Sequence, residues 1–275
     1  MAGSGGKAEA RLEAPGTENV TGIDAYAPAE VARRVEAAGV AKASLPLDKL
    51  LVLAILAGAF IGFGAALYTV AISGSTLGYG PTRLFGGLAF SLGLVLVIVA
   101  GAELFTGNAM IVMARADRRI TTGAVARNWA VSFVGNAIGA AGLAVAVSLS
   151  GILDAGPARE TAIRIAEAKL ALPPLEAFVL GVLCNVLVCL AVWLCFAARS
   201  VTDKILAIAF PITAFVAIGF EHSIANLYLL PVGLLIGAHG NFGGVLANLV
   251  PVTLGNIVGG AGGVAAVYSA IYLRK

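Results

Sequence analysis

Charged residues are scarce in this chain of 275 residues. Asp, Glu, Lys and Arg make up 12% of the sequence, roughly half of the fraction usual in soluble domains, whereas hydrophobic residues make up 59%. This composition excludes a soluble globular domain and predicts an integral membrane protein embedded in the lipid bilayer. The formal net charge is only +3 and no basic tract is present, so nucleic-acid binding is not expected.

Cysteine and aromatic residues are also few. Cys184, Cys189 and Cys195 lie in one apolar run without a neighbouring histidine, which favours small packing residues over metal ligands. Aromatic residues make up 7% of the chain, while its 35 glycines are typical of closely packed membrane helices.

Residues 1–22 lack the apolar core of a signal peptide, so we expect a retained, cytoplasmic start. No metal and no cofactor is predicted.

Three segments are expected along the chain. Residues 1–27 have few large apolar side chains and are predicted to be a disordered cytoplasmic N-terminus. Residues 28–45 carry valines at roughly helical spacing, which predicts an amphipathic helix at the membrane surface, or alternatively a partner-binding helix. Residues 46–275 form the transmembrane domain, an all-α unit of six spans. The expected spans are residues 50–71, 85–114, 129–149, 177–197, 205–236 and 247–273.

Lys and Arg are distributed unequally between the two sides that these spans define. Of the 18 such residues, 14 fall on the side of the termini and 4 on the opposite side. We expect the protein in the inner membrane of the cell. By the positive-inside rule, both of its termini are then expected in the cytoplasm.

Two polar motifs interrupt apolar runs in corresponding halves of the chain. They are GAELFTGN at residues 101–108 and GFEHSIAN at residues 219–226, with Gly, Glu and Asn at the same relative positions. Polar groups in mid-membrane are costly unless they face a cavity or satisfy broken backbone. The motifs therefore predict that spans 2 and 5 are broken helices beside a binding or conduction site.

The repetition extends to spans 3 and 6. Asn128 precedes GNAIG at residues 135–139, and Asn248 precedes GNIVG at residues 255–259 with the same spacing. Three spans per repeat is an odd number, so the two halves must insert in opposite orientations. The predicted fold is an inverted 3+3 repeat.

His222 is the only histidine predicted inside a span, and it follows Glu221 directly. A neutral histidine held by hydrogen bonds is the alternative, but an ionisable group at a break in a membrane helix favours a functional role. For Glu103 and Glu221 we expect a structural role, as acceptors for free backbone N–H groups at the breaks.

Other polar residues near the breaks have less specific interpretations. Lys169, just before span 4, is either a solvated lysine or one that concentrates anions at the entrance of a path. Asn185 is a source of interhelical hydrogen bonds or part of the path lining, and Thr106 is a better path candidate because exposed backbone surrounds it. Four bulky residues would form an apolar constriction if they face a pore: Phe90, Leu94, Leu104 and Phe215.

Together these segments resemble the formate/nitrite transporter family. The resemblance rests on residues 101–108 and 220–226, on GVLCNVLVCLA at 181–191, on GVAKA at 39–43 and on PVTLGN at 251–256. It covers the chain from about residue 28 onwards, and the joint presence of the motifs is highly specific.

The resemblance implies an aquaporin-like six-helix protomer, a homopentamer with one pore per protomer, and passage of formate or nitrite. It implies that His222 exchanges a proton with the substrate, that Lys169 lies in a vestibule, and that Thr106 and Asn185 surround the site. Phe90, Leu94, Leu104 and Phe215 match the apolar constrictions. Glu103, Asn108, Glu221 and Asn226 are expected to be structural at the helix breaks.

Several alternatives remain at this level. Within the family, hydrosulfide, acetate or lactate could replace formate and nitrite. An aquaporin-type channel for neutral solutes would show Asn-Pro-Ala breaks, which this sequence lacks, and an ammonium channel would show paired pore histidines. An enzyme would need a metal or nucleophile constellation. One histidine in a span, with no matching acidic or cysteine cluster, does not provide it, so enzymatic activity is not expected.

Overall fold

The computed structural model describes residues 25–273, so most of the segment predicted to be disordered lies outside the described residues. Within that range the chain is helical without a β-strand, and six helices are long and apolar enough to cross a membrane. The prediction of an all-α protein with six membrane spans is confirmed. The α-helices are α1 (Pro28–Ala43), α2 (Leu47–Ile72), α3 (Tyr79–Ala100), α4 (Val112–Ala116), α5 (Thr122–Leu149), α6 (Ala158–Leu170), α7 (Pro174–Ala197), α8 (Val201–Ile218), α9 (Ser223–Leu235), α10 (Phe242–Ile257) and α11 (Val267–Tyr272).

The helices α3 and α8 both end at a glycine. Gly101 has φ +82° and Gly219 has φ +99°, a left-handed conformation that glycine adopts without steric cost and that ends an α-helix. After Gly101 the chain is irregular to Thr106, then forms a 3₁₀ helix (Gly107–Ile111) that continues into α4. After Gly219 the chain is again irregular, and the next helix, α9, begins at Ser223. We refer to residues 101–106 as the first break and to residues 219–222 as the second break.

The helix α5 begins seven residues before the predicted start of span 3 at residue 129. Thr121 caps it by accepting the Ala124 N–H, so residues 122–128, which include Arg127 and Asn128, are helical as well. Apolar content marks the part of a helix inside the membrane, whereas the cap sets where the helix begins.

The apolar stripe of α1 packs on protein, and the position of this helix at the membrane surface stays a prediction. Val31 and Val35 are buried in a cluster with Met110, Met113 and Trp193. The stripe therefore covers the chain that follows the first break. The sequence pattern indicates an apolar face but not what covers it.

The helix α6 covers α9 in a corresponding way. A Cβ built at Gly233 of α9 would lie 2.2 Å from the Ala166 Cβ of α6, so only glycine permits this approach. Each break is thus followed by a segment on which a short, non-spanning helix packs.

The last span contains a π-helix (Val258–Ala266) between α10 and α11. A Cβ at Gly260 would lie 2.3 Å from Asn185 Nδ2 and 2.8 Å from Cys189 Sγ. The absence of a side chain at this position therefore lets α7 approach the π-helix.

Candidate functional site

A hydrogen-bonded network of side chains surrounds the first break, in which Ser132 Oγ accepts from Asn108 Nδ2 at 3.2 Å. Lys42 Nζ, from the end of α1, donates to Glu103 Oε1 at 2.6 Å and to Asn108 Oδ1 at 3.2 Å. Asn108 Nδ2 donates to Glu103 Oε2 at 2.8 Å and to Asn128 Oδ1 at 2.9 Å. Asn128 Nδ2 donates to the Lys42 carbonyl at 3.1 Å, which closes the network.

A second network repeats this arrangement at the other break. Lys169 Nζ, from the end of α6, donates to Glu221 Oε1 at 2.7 Å. Asn226 Nδ2 donates to Glu221 Oε2 at 2.7 Å and to Asn248 Oδ1 at 2.8 Å, and Asn248 Nδ2 donates to the Lys169 carbonyl at 2.8 Å. Each buried carboxylate is paired with a lysine, as its burial requires.

The two networks bring together predicted residues and residues that sequence reasoning missed. Glu103, Asn108, Glu221 and Asn226 lie at the breaks. Four partners of these residues had no predicted role at the site: Lys42, Asn128, Ser132 and Asn248. The two asparagines were visible as a repeated position, whereas Lys42 was visible only as part of the short helix before span 1.

The expectation that Glu103 and Glu221 accept backbone N–H groups at the breaks is wrong. Asn136 and Asn256 perform this role: the Phe105 N–H donates to Asn136 Oδ1 at 2.8 Å, and the Ser223 N–H donates to Asn256 Oδ1 at 2.9 Å. A carboxamide is uncharged and has both donors and acceptors, so it can brace N–H and C=O groups together.

The side-chain amides of these asparagines complete the bracing. Asn136 Nδ2 donates to the carbonyls of Ala54 and Glu103, at 2.7 and 3.0 Å. Asn256 Nδ2 donates to the carbonyls of Gly181 and Glu221, at 2.8 and 3.0 Å. Each break is therefore tied to a neighbouring span by one carboxamide.

The two breaks contact each other through Thr106 and His222. Thr106 Oγ1 lies 2.9 Å from His222 Nε2, and Asn185 Nδ2 donates to the Thr106 carbonyl at 3.2 Å. His222 Nδ1 accepts the Ala225 N–H at 3.1 Å and so caps α9. Because Nδ1 is an acceptor, the neutral ring carries its proton on Nε2 and donates it to Thr106.

A cavity of about 660 Å³, here cavity 1, lies on the His222 side of this contact. Lys169, Phe90 and Phe215 share its wall with His222. The Phe215 ring stacks on the imidazole, with centroids 5.9 Å apart, and meets the Phe90 ring edge-on at 5.6 Å. The wall beside the histidine is therefore aromatic and apolar.

A second cavity of about 310 Å³, cavity 2, lies at the opposite ends of α3, α7 and α8. Leu94 and Leu104 line it together with Lys42, Glu103 and Asn108. The four predicted constriction residues thus divide into an aromatic pair in cavity 1 and a leucine pair in cavity 2. Gly107 also lines cavity 2, so its neighbour Thr106, bonded to His222, lies between the two cavities.

Comparison with known proteins identifies the family. The sequence model of the family described as "Formate/nitrite transporter" matches residues 29–270, nearly the whole described chain. The chain belongs to the formate/nitrite transporter family. It is therefore an integral membrane protein of a transporter family.

Relatives in the formate/nitrite transporter family match along almost their whole length. The formate channel FocA of Escherichia coli (strain K12) is 40% identical, over 92% of this chain and 96% of the relative. A probable formate transporter of Methanothermobacter thermautotrophicus is 42% identical, over 90% and 97%.

Solved structures of this family have the same fold. A structure described as a pentameric formate channel with formate bound superposes with a TM-score of 0.76 and 41% identity, covering 83% of this chain and 98% of that one. A structure described as an FNT family ion channel superposes with a TM-score of 0.80 and 30% identity, over 89% and 99%.

Proposed function

We propose that the protein conducts small monovalent anions of weak acids, formate or nitrite, and that His222 exchanges a proton with the passing substrate. The observation that carries this proposal is the Thr106–His222 contact between the two cavities. The names of the similar channels, which refer to formate, support the choice of substrate.

The geometry supports passage of the substrate as a neutral acid. An anion in cavity 1 meets the Lys169–Glu221 pair, whose ammonium compensates the buried carboxylate. Beyond it the rings of Phe90 and Phe215 offer no hydrogen bonds, so a bare charge loses its hydration there without replacement. Protonation near His222 removes that cost, and the acid dissociates again on the other side.

Proton exchange at His222 has a structural consequence. The ring first takes up a proton from the aqueous phase at Nδ1, where the Ala225 N–H now binds, and the resulting imidazolium then gives its Nε2 proton to the substrate anion. Each cycle therefore requires α9 to release its cap for a time. Asn185 holds the first break in place through the Thr106 carbonyl during this exchange.

The assembly and orientation belong to the same proposal. The protomers form a homopentamer with one pore each, in the inner membrane of the cell with both termini in the cytoplasm. Cavity 2 then faces the cytoplasm and cavity 1 the opposite side. Hydrosulfide, acetate and lactate are the further substrates to compare with formate and nitrite.

Uptake into proteoliposomes tests the function. The wild-type protein is expected to take up labelled formate or nitrite, faster as the external pH falls, because more of the substrate is present as the neutral acid. His222→Asn retains a side-chain acceptor for the Ala225 N–H but does not titrate, so it is expected to lose the contribution of the protein to this pH dependence.

His239→Asn is the matched control, since His239 is exposed near the end of α9 and is expected to behave as wild type. Uptake of neither anion by the wild type would overturn the proposed function. An unchanged pH profile in His222→Asn would overturn the role of the histidine while leaving the function in place.

A further inference from the structure

The positive charge of cavity 2 does not come from Lys42. The Lys42 ammonium is bound to Glu103 at 2.6 Å, so this lysine and this carboxylate cancel each other as seen from the cavity. Lys204, in the first turn of α8, is the other lysine in the lining. Among the described residues no carboxylate lies within ion-pair distance of its Nζ, so it leaves the cavity with an excess of positive charge.

The start of α8 fixes the backbone of Lys204 at the edge of the cavity. Ser200 Oγ accepts the Asp203 N–H and Asp203 accepts the Ser200 N–H, both at 3.0 Å, in a reciprocal capping box. The Lys204 carbonyl in turn accepts the Cys195 thiol at 3.8 Å, which ties it to α7. Asp203 is exposed and does not line the cavity, because consecutive helical side chains point about 100° apart.

We propose that Lys204 is the residue that draws the substrate anion into cavity 2. The proposal rests on the anion-conducting function proposed above. Lys204 is partly exposed, and its ammonium raises the local concentration of anions at this entrance without forming a buried ion pair that would hold them. Lys42, by contrast, keeps Glu103 neutralised and the first break in place.

The location of Lys204 predicts an effect on one direction of entry only. Removing its charge should lower the local anion concentration at the entrance to cavity 2 but not at cavity 1, at the far ends of the same helices. The effect should decrease with salt, since the screening length falls from about 30 Å at 0.01 M to about 3 Å at 1 M.

The test uses right-side-out and inside-out membrane vesicles from a host without its own formate or nitrite channels. Initial rates of formate uptake are measured at several formate concentrations and at low and high ionic strength. Lys204→Gln is expected to raise the half-saturating concentration about three-fold at low ionic strength, with an unchanged maximal rate, in one vesicle orientation only. At high ionic strength the difference should disappear, and Lys204→Arg should behave as wild type.

Lys49→Gln is the matched control, because Lys49 lies exposed at the start of α2 and lines neither cavity. An equal effect of Lys49→Gln, an effect in both orientations, or an effect independent of salt would overturn the role of Lys204. So would no change in Lys204→Gln. Absence of wild-type uptake in both vesicle types would instead overturn the proposed function.

Discussion

The two breaks share their supporting networks and differ in the residue that each presents to the other. Both have a lysine from a short helix, a glutamate and an asparagine from the motif, and an asparagine from a neighbouring span. The first break presents Thr106, which does not titrate, whereas the second presents His222. The repeated residues therefore maintain the broken backbone, and the unrepeated pair is the candidate for chemistry.

The short helices α1 and α6 belong to this comparison. Each ends near the lysine of its network and packs on the chain that follows its break. The structural correspondence thus includes the helix before each set of spans, although the sequence reasoning restricted the repeat to the spans. The two halves differ in how deeply the corresponding residues are buried, so substitutions at these residues test whether both halves contribute equally to stability.

The largest expected effect comes from removing one lysine of a buried pair. The side chains of Lys169 and Glu221 are 15% and 6% exposed, whereas those of Lys42 and Glu103 are 32% and 8% exposed. Lys169→Met should cost about 3–5 kcal/mol because it leaves an unpaired buried carboxylate. Lys42→Met should cost less, because water reaches that pair more easily.

Chemical unfolding of the detergent-solubilised protein checks this order. The double change Lys169→Met with Glu221→Gln serves as the control, since it removes the unpaired charge and should recover part of the loss. Equal losses for both lysines would contradict the link between burial and cost.

Substitution of either asparagine that braces a break should cause the next largest loss of stability, and the two losses should be nearly equal. Asn256→Ala and Asn136→Ala each remove three hydrogen bonds to broken or neighbouring backbone, at an expected cost of about 3 kcal/mol. Asn241→Ala, which removes only the exposed cap of α10, should cost about 1 kcal/mol in the same unfolding measurement. A clear inequality between the first two would show that the breaks are not braced alike.

The smallest expected effect is a pH dependence of the packing of α1, the short helix at the first break. Burial, followed by the nearby carboxyl group of Asp117, raises the pKa of Glu36 in α1 above its ordinary value, although Arg119 opposes the shift. Because the folded pKa is the higher one, docking of α1 should be strongest below the unfolded pKa. It should weaken as the pH rises through the folded pKa.

Hydrogen exchange of α1 and α6, corrected for intrinsic rates, measures this difference. Protection of α1 should fall with rising pH and that of α6 should not, since the side chains buried along α6 are those of Ala158, Thr161, Ala162 and Ala166. Glu36→Gln should remove the pH dependence of α1. A dependence that persists in this variant would assign it to another group.

Much of the site could be predicted from sequence because membrane helices make polar residues conspicuous. Glu103, Asn108, Glu221 and Asn226 stand out in apolar runs, and the structure places all four in the networks at the breaks. Lys42 does not stand out, because it lies in a segment with ordinary charge content. Its partner is 61 residues away along the chain, and only the packing of α1 brings the two together.

The sequence by itself determined the membrane class, the six spans, the repeated motifs and the family, because the apolar environment restricts which residues can lie in a span and where. The tertiary structure decided which polar groups pair with which: carboxylates with lysines, broken backbone with Asn136 and Asn256, and Thr106 with His222. It also decided that α1 faces protein and that Lys204 lines a cavity. These outcomes depend on distances between segments far apart in the chain, which periodicity and spacing along one segment do not contain.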